Sequence, residues 1–326
     1  MPETKIEPPK SEAVVDTAPI GNASYTSILE EHNVADKQRK VRKEILERLE
    51  KKEFNGGCEN NAVIAHIAKE GSMGSSLESS DVPVLGNLLR SIGDVDHLTL
   101  ILHSPGGDGT CVEKIVTICR AQCKHFRVII PNRAKSAATM IAMGADEIIM
   151  GHSSEFGPID AQVPVIVAGI PRYISAQSFI DARDSLLEKF KEAKKNKEDT
   201  KPILQMFASL DIPFIEECQR MMDFGRDVVR GLLVKYMFSG DADADKKADK
   251  VVKMLSSVKQ HKVHGRLIDG QTARTELGLK VKMLAKDDPL WQNVWEYYTR
   301  SEINMGRANS PKMFETRHEM LIAQHS

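Results

Sequence analysis

The sequence predicts an α/β fold built on a parallel sheet, and three observations carry that prediction. Residues 98–103, residues 126–130 and Glu147–Met150 are short apolar runs rich in β-branched residues. Between them lie residues 109–123, with Val112, Ile115, Val116 and Cys119 at helical spacing, and Ala137–Met143, an apolar run rich in alanine. Strand, helix, strand, helix, strand in short steps implies parallel pairing through right-handed crossovers. Both crossover helices are poor in charge, so both are expected to face protein rather than water.

The flanking elements follow from the same periodicities. Residues 27–52 are highly charged and space Val41, Ile45 and Leu49 four apart, the pattern of an amphipathic helix laid on a core or a partner subunit. Asn55-Gly56-Gly57 ends it. Asn61–Ala68 reads as the first core strand, 71–80 as a polar loop, and 83–91 as a short helix carrying Leu85, Leu88 and Leu89. Residues 175–197 form a long helical pattern with charges of both signs. Residues 213–238 are a further helix, in which Met221 and Met222 read as packing rather than ligands. Residues 239–247 read as a helix stop and restart; they lack the glycine and terminal glutamate of a calcium loop. Residues 248–257, 272–277 and 290–301 are predicted helices, and the last places Trp291 and Trp295 four apart as docking surface. The expected organisation is a disordered tail (1–26), a helical extension (27–57), a core with flanking helices (58–238) and a helical region that completes it (239–326).

Composition bounds the function. The 326 residues include 45 basic and 46 acidic side chains, a formal net charge of −1, so nothing pulls the chain globally toward nucleic acid. Five cysteines form an odd set without a metal-ligand pattern, and they read as thiols of a reducing, cytoplasmic compartment. Neither a metal nor a cofactor is expected. The first 18 residues hold prolines and acids and lack the apolar stretch of a signal peptide. The apolar run 163–170 is far too short to span a bilayer. No integral membrane segment is expected, and peripheral membrane contact stays open.

Two loops at strand ends hold the chemistry. Pro105-Gly106-Gly107 follows the best strand, and two glycines can turn their N–H groups inward with no Cβ in the way. Such groups can bind an oxyanion, although a tight βα turn without a ligand reads the same. The dinucleotide pattern GxGxxG and the P-loop are both absent. Ser136 opens the apolar helix, where a plain helix-capping serine would look alike. In open α/β sheets the carboxyl ends of the strands converge on one crevice. A nucleophilic hydroxyl there would gain from the N–H of Ala137 and from the helix N-terminus.

SPGGDG, AKSAATMIAMGADEIIM and SSEFGPID together resemble the serine dehydrogenase proteinase family, related to signal peptide peptidase A and more distantly to ClpP. The resemblance covers residues 60–162, and the GRLIDGQTARTELGLKV segment, 265–281, is similar to the stretch that ends the core in signal peptide peptidase A. It implies a ClpP/crotonase-like spiral core with parallel β-strands and additional N- and C-terminal helices. It also implies a serine endopeptidase with Ser136 as nucleophile, Gly106 and Gly107 on the oxyanion side, and the Ala137 N–H as second donor.

The resemblance leaves the general base open. ClpP-like enzymes use a histidine about two dozen residues after the serine, and the neighbourhood of Ile159 holds none. His152 lies sixteen residues after Ser136 and reads as an incidental loop histidine. Signal peptide peptidase A pairs serine with lysine; Lys189, fifty-three residues on, is the first choice here, and Lys191, Lys194 and Lys195 share its helix. The amine could come from the same chain or a neighbouring subunit, and a working lysine base needs burial. Lys135 is expected to point elsewhere. The expected activity is ATP-independent cleavage of flexible or unfolded polypeptide by a closed homo-oligomer. The alternatives are a non-proteolytic scaffold that kept the fold and, more remotely, acyl-CoA chemistry.

Overall fold

The computed structural model describes residues 35–257 and 267–323. The tail expected over 1–26 and the first part of the helix expected from residue 27 lie outside the described residues.

The expected strand–helix alternation is present, and its order positions the site. Helix α1 (Ala35–Leu49) precedes β1 (Asn61–Ala68), α2 (Asp81–Ile92), β2 (Val95–His103), α3 (Val112–Ala121) and β3 (Cys123–Ile130). A two-residue strand β4 (Arg133–Ala134) leads into α4 (Ala137–Met143), followed by β5 (Glu147–Met150) and β6 (Glu155–Phe156). A hairpin, β7 (Gln162–Val167) and β8 (Ile170–Ser175), leads into α5 (Ala176–Asn196), α6 (Lys201–Ala208) and α7 (Ile212–Leu232). The chain then forms α8 (Ala244–Leu255), β9 (Ile268–Asp269), α9 (Gly270–Thr275), β10 (Val281–Met283), α10 (Pro289–Ala308), β11 (Lys312–Glu315) and β12 (Met320–Ile322).

The main sheet has the order β10-β5-β3-β2-β1-β11-β12. The five strands from β10 to β1 pair in parallel, and β11 and β12 add antiparallel. A second sheet, β4-β6-β9, sits beyond the carboxyl ends of the first. Strand side chains alternate between two apolar layers, as the pleat requires. Ile64, Leu98, Leu100, Phe126, Val128 and Ile148 face the layer shared with α2, α3 and α4. Val63, Ile67, Ile101, Ile129 and Ile149 face α1 and α10, whose Ile45, Leu46, Val294 and Tyr297 close that side. A parallel sheet covered on both faces reads as continuous apolar runs, which is why its strands are legible from sequence.

Several expectations need correction. Helix α4 is buried at all seven residues, but α3 exposes Glu113 and Lys114, so only one crossover is enclosed by protein. Cys123 starts β3 rather than ending a helix. The apolar run 163–170 folds as a hairpin whose turn residues, Ala168 and Gly169, have φ 52° and 78°, the backbone of a type I′ turn. Trp291 is buried against Gly151, leaving Trp295 as the exposed member of the pair. The five cysteines are free thiols. Among the described residues no helix is long and apolar enough to cross a membrane.

The charged helix α1 holds one surprise. Arg42 is fully buried, with its Nε 2.8 Å from the Glu315 carboxylate on β11, to which the Tyr297 hydroxyl also donates at 2.9 Å. Removing one member of such a pair strands an uncompensated charge. Glu315→Ala is therefore expected to lower stability by about 3–5 kcal/mol in urea unfolding, and the double variant Arg42→Met/Glu315→Leu to recover most of that loss.

Candidate active site

The serine and glycine loops are joined by backbone bonds before any side chain acts. Ser104 N–H donates to the Arg133 carbonyl at 3.0 Å, and Lys135 N–H donates to the Ser104 carbonyl at 3.1 Å. The Ser104 hydroxyl accepts from Gly106 N–H at 3.1 Å. His103, the last residue of β2, accepts from the Arg133 N–H on Nδ1 at 3.1 Å. The first glycine then passes directly beneath the Ser136 turn. A Cβ on Gly106 would lie 2.5 Å from the Lys135 carbonyl oxygen and 2.8 Å from the Ser136 Cβ, and its φ of 92° is one that side chains rarely adopt. Only glycine fits.

Gly107 is fixed by a segment that reads as plain polar loop in the sequence. Leu77, buried, donates its N–H to the Gly106 carbonyl at 2.8 Å and accepts from Asp108 N–H at 2.9 Å. The Gly106 C=O and the Asp108 N–H therefore occupy one edge of this short extended piece. By the alternation of an extended chain, the N–H and C=O of Gly107 face the other edge. A side chain at Gly107 would collide with the Leu77 backbone.

Ser136 sits between β4 and α4 with φ 48° and ψ −117°, outside the ordinary regions for an L-residue. Such a conformation costs on the order of 1–3 kcal/mol and persists where surrounding contacts over-determine it. A sharp strand-to-helix turn of this kind projects a serine hydroxyl away from its own backbone. Ser136 is half-buried, and its hydroxyl makes no hydrogen bond among the described residues; it caps nothing, which disposes of the plain helix-cap reading. Nor do the N–H groups of Ala137 and Gly107 have an acceptor among the described residues. Two unspent donors beside a free hydroxyl can stabilise a tetrahedral oxyanion.

The candidate bases are placed as follows. Lys135 points away from Ser136, with its ammonium 2.6 Å from Glu155 and 3.1 Å from the Phe156 carbonyl. His152 is exposed on its loop. Lys189, Lys191, Lys194 and Lys195 are all exposed on α5. Lys191 is tied to Glu188 at 2.7 Å, a hydrogen bond that holds its ammonium above the ordinary range. The structure thus brings Gly106, Gly107, Ser136 and Ala137 together, and within one chain it does not bring Lys189 to them. Among the described residues no cluster of ligands could hold a metal ion.

Behind the glycine loop lies a buried polar group that the sequence did not signal. Because Nδ1 of His103 accepts from a backbone N–H, its proton is assigned to Nε2, which faces Glu302 of α10 at 3.9 Å. Burial lowers His103 to about 4 and His66, stacked on Phe314, to about 3. Burial raises Glu302 to about 7.

A family model described as ClpP-like SDH-type serine proteinase matches residues 31–187. Two uncharacterized proteins of Methanocaldococcus jannaschii are similar, one 31% identical over 111 residues (32% of this chain, 39% of that protein), the other 39% identical over 66 residues (20% of this chain, 23% of that protein). The chain therefore spans well under half the length of either relative. Among solved structures, ClpP1 from Listeria monocytogenes is 10% identical with a TM-score of 0.35, covering 71% of this chain and 94% of that one. A membrane-bound stomatin-specific protease is 14% identical with a TM-score of 0.27, covering 64% and 93%. An enoyl-CoA hydratase from Mycobacterium avium subsp. paratuberculosis is 13% identical with a TM-score of 0.25, covering 64% and 95%. At these scores the structural likenesses carry no weight on function.

Gly106→Ala is expected to displace the serine turn and destabilise the chain by about 1–3 kcal/mol in chemical unfolding. The buried titrating groups set opposite pH limbs. Below about pH 6.5 the unfolded chain protonates both imidazoles while the folded chain keeps them neutral, so their contribution falls as pH drops toward 4. Glu302 contributes in the opposite sense: its stability is fully present below its unfolded value of 4.5 and lost as pH rises through about 7. Relative to the native chain, His66→Phe should gain melting temperature as pH falls, and Glu302→Gln should gain it as pH rises from about 5 to 8.

Proposed function

We propose that this chain, related through residues 31–187 to the ClpP-like SDH-type serine proteinases, is a serine endopeptidase that cleaves flexible or unfolded polypeptide through an acyl-enzyme on Ser136. One observation carries the reading: a hydroxyl on a strained strand-to-helix turn stands beside two backbone N–H groups, and among the described residues the hydroxyl has no partner and the N–H groups no acceptor. Ser136 Oγ attacks the peptide carbonyl and loses its proton to a general base. The developing oxyanion is held by the N–H groups of Gly107 and Ala137. The base returns the proton to the leaving amine, and water then releases the acyl group.

Lys189 remains the first candidate for the base, reaching Ser136 from a neighbouring subunit, where association could supply the burial that a neutral lysine needs. The oligomer this requires has support in the hairpin, which leaves Ile166, Val167, Ile170 and Tyr173 exposed. The free thiols suit a reducing, cytoplasmic setting. The second reading, a non-proteolytic scaffold, is favoured by one observation: no side chain among the described residues bonds to the Ser136 hydroxyl.

A fluorophosphonate probe separates the two. Covalent labelling of native protein, abolished in Ser136→Ala together with casein hydrolysis, is the expected result; an unlabelled native protein beside active control enzymes sinks the protease reading. Lys189→Ala is expected to reduce the labelling rate by about 100-fold or more, as loss of a general base does. Light scattering should give a mass of several chains at micromolar concentration, and a single-chain mass throughout would remove the neighbouring-subunit base.

A further inference from the structure

Lys135 precedes the nucleophile, and its side chain is held at more points than packing alone would need. Its ammonium contacts Glu155 at 2.6 Å and donates to the Phe156 carbonyl at 3.1 Å. Both side chains are largely enclosed, at 13% and 12% exposure, so this pair lies apart from the weak surface class. Its stem lies flat on Gly157, where an added Cβ would collide with it. Glu155 also takes the Arg133 guanidinium at 3.2 Å, and Arg133 pairs in turn with Glu70. On the backbone, the Lys135 N–H is committed to Ser104 and its carbonyl accepts from Ala138 at 2.9 Å. Just beyond the serine, the Thr139 hydroxyl is shared between the Ala134 and Gly157 carbonyls, at 2.7 and 3.0 Å. Strand β6 and the glycine after it therefore grip the chain on both sides of Ser136, the residue with the strained backbone.

We infer that the Lys135–Glu155 pair, seated on Gly157, is a positioning device that holds the Ser136 turn in its reactive conformation, with Lys135 acting as a strut and not as a base. The inference rests on the reading of Ser136 as nucleophile. The physical reason is that a backbone held in a sparsely populated conformation relaxes unless its neighbours are pinned. Relaxation would swing the hydroxyl away from the Gly107 and Ala137 donors.

The test compares fluorophosphonate labelling of Ser136 in full-length Lys135→Met, Lys135→Arg and Glu155→Gln, with hydrogen exchange of the 133–140 peptide measured on the same samples. Lys135→Met and Glu155→Gln are expected to lower the labelling rate at saturating probe by about 10–100-fold, with the concentration for half-maximal rate nearly unchanged. Lys135→Arg, which keeps the charge and reach but cannot be deprotonated, should recover most of the rate. The 133–140 peptide should exchange faster in the first two variants and as in the native chain in the third. If Glu155→Gln folds poorly, Lys135→Met/Glu155→Gln removes both members of the pair, leaves Arg133 its Glu70 partner, and should show the same loss. Native labelling and native exchange in Lys135→Met would overturn the strut. Equal inactivity of the Met and Arg variants, with native exchange in both, would make Lys135 the base and overturn it as well. Should the native protein not label at all, the nucleophile reading fails by itself, and exchange of the 133–140 peptide in Glu155→Gln then decides the strut: faster supports it, unchanged refutes it.

Discussion

The approach of Gly106 to the Lys135–Ser136 turn constrains everything around it. There is no room for one carbon atom between them: a Cβ would sit 2.5 Å from the Lys135 carbonyl oxygen. Two loops from different strands can come this close only if each is fixed independently. Ser104 does this from the backbone by bonding to both Arg133 and Lys135, and His103 does it from a side chain. The main sheet sets the separation of β2 and β3, and the contact inherits that accuracy. Stability and the placement of Ser136 are thus joined at this point, since any looseness in the sheet would reach the serine.

Leu77 gives the glycine loop its direction. An isolated Gly-Gly segment could present either edge to a ligand, because glycine adopts both signs of φ readily. Pairing with Leu77 uses up one edge, which leaves the N–H of Gly107 for the other. The buried side chain of Leu77 is what anchors that pairing, by packing into the sheet's main apolar layer, whereas Met73 of the same loop is exposed. The loop is part of the site without contributing any reactive group to it.

The hairpin and the helices packed on it are built differently. The hairpin, α5 and α7 share a small apolar cluster of Val163, Ala176, Ile180, Ile215, Cys218 and Met222, separate from the two layers on the main sheet. Its outer surface keeps large apolar residues exposed, Ile166 and Tyr173 among them. A two-stranded hairpin is marginal by itself in water, so its order here rests on α5 and α7. The contrast is physical: the parallel core satisfies itself within one chain, whereas this region leaves apolar area uncovered.

Local pattern was enough to specify the elements buried on every side. Asn61–Ala68, Ala137–Met143 and Glu147–Met150 are legible to the residue, because continuous burial leaves an apolar run with little tolerance at its ends. It also marked Ser136 and the glycine pair, since a serine at a helix mouth and two glycines after a strand are local signals. What those residues touch was set by packing between distant elements. The pairing of Leu77 with the glycine loop, the burial of Arg42 against Glu315, and the enclosure of Lys135 by Glu155 and Gly157 each join residues from separate elements. Charge and polarity in a sequence indicate exposure by default. Whether a lysine is a solvated amine, a base or a strut depends on which distant carboxylate and carbonyl arrive beside it, and that is fixed by packing rather than by local pattern.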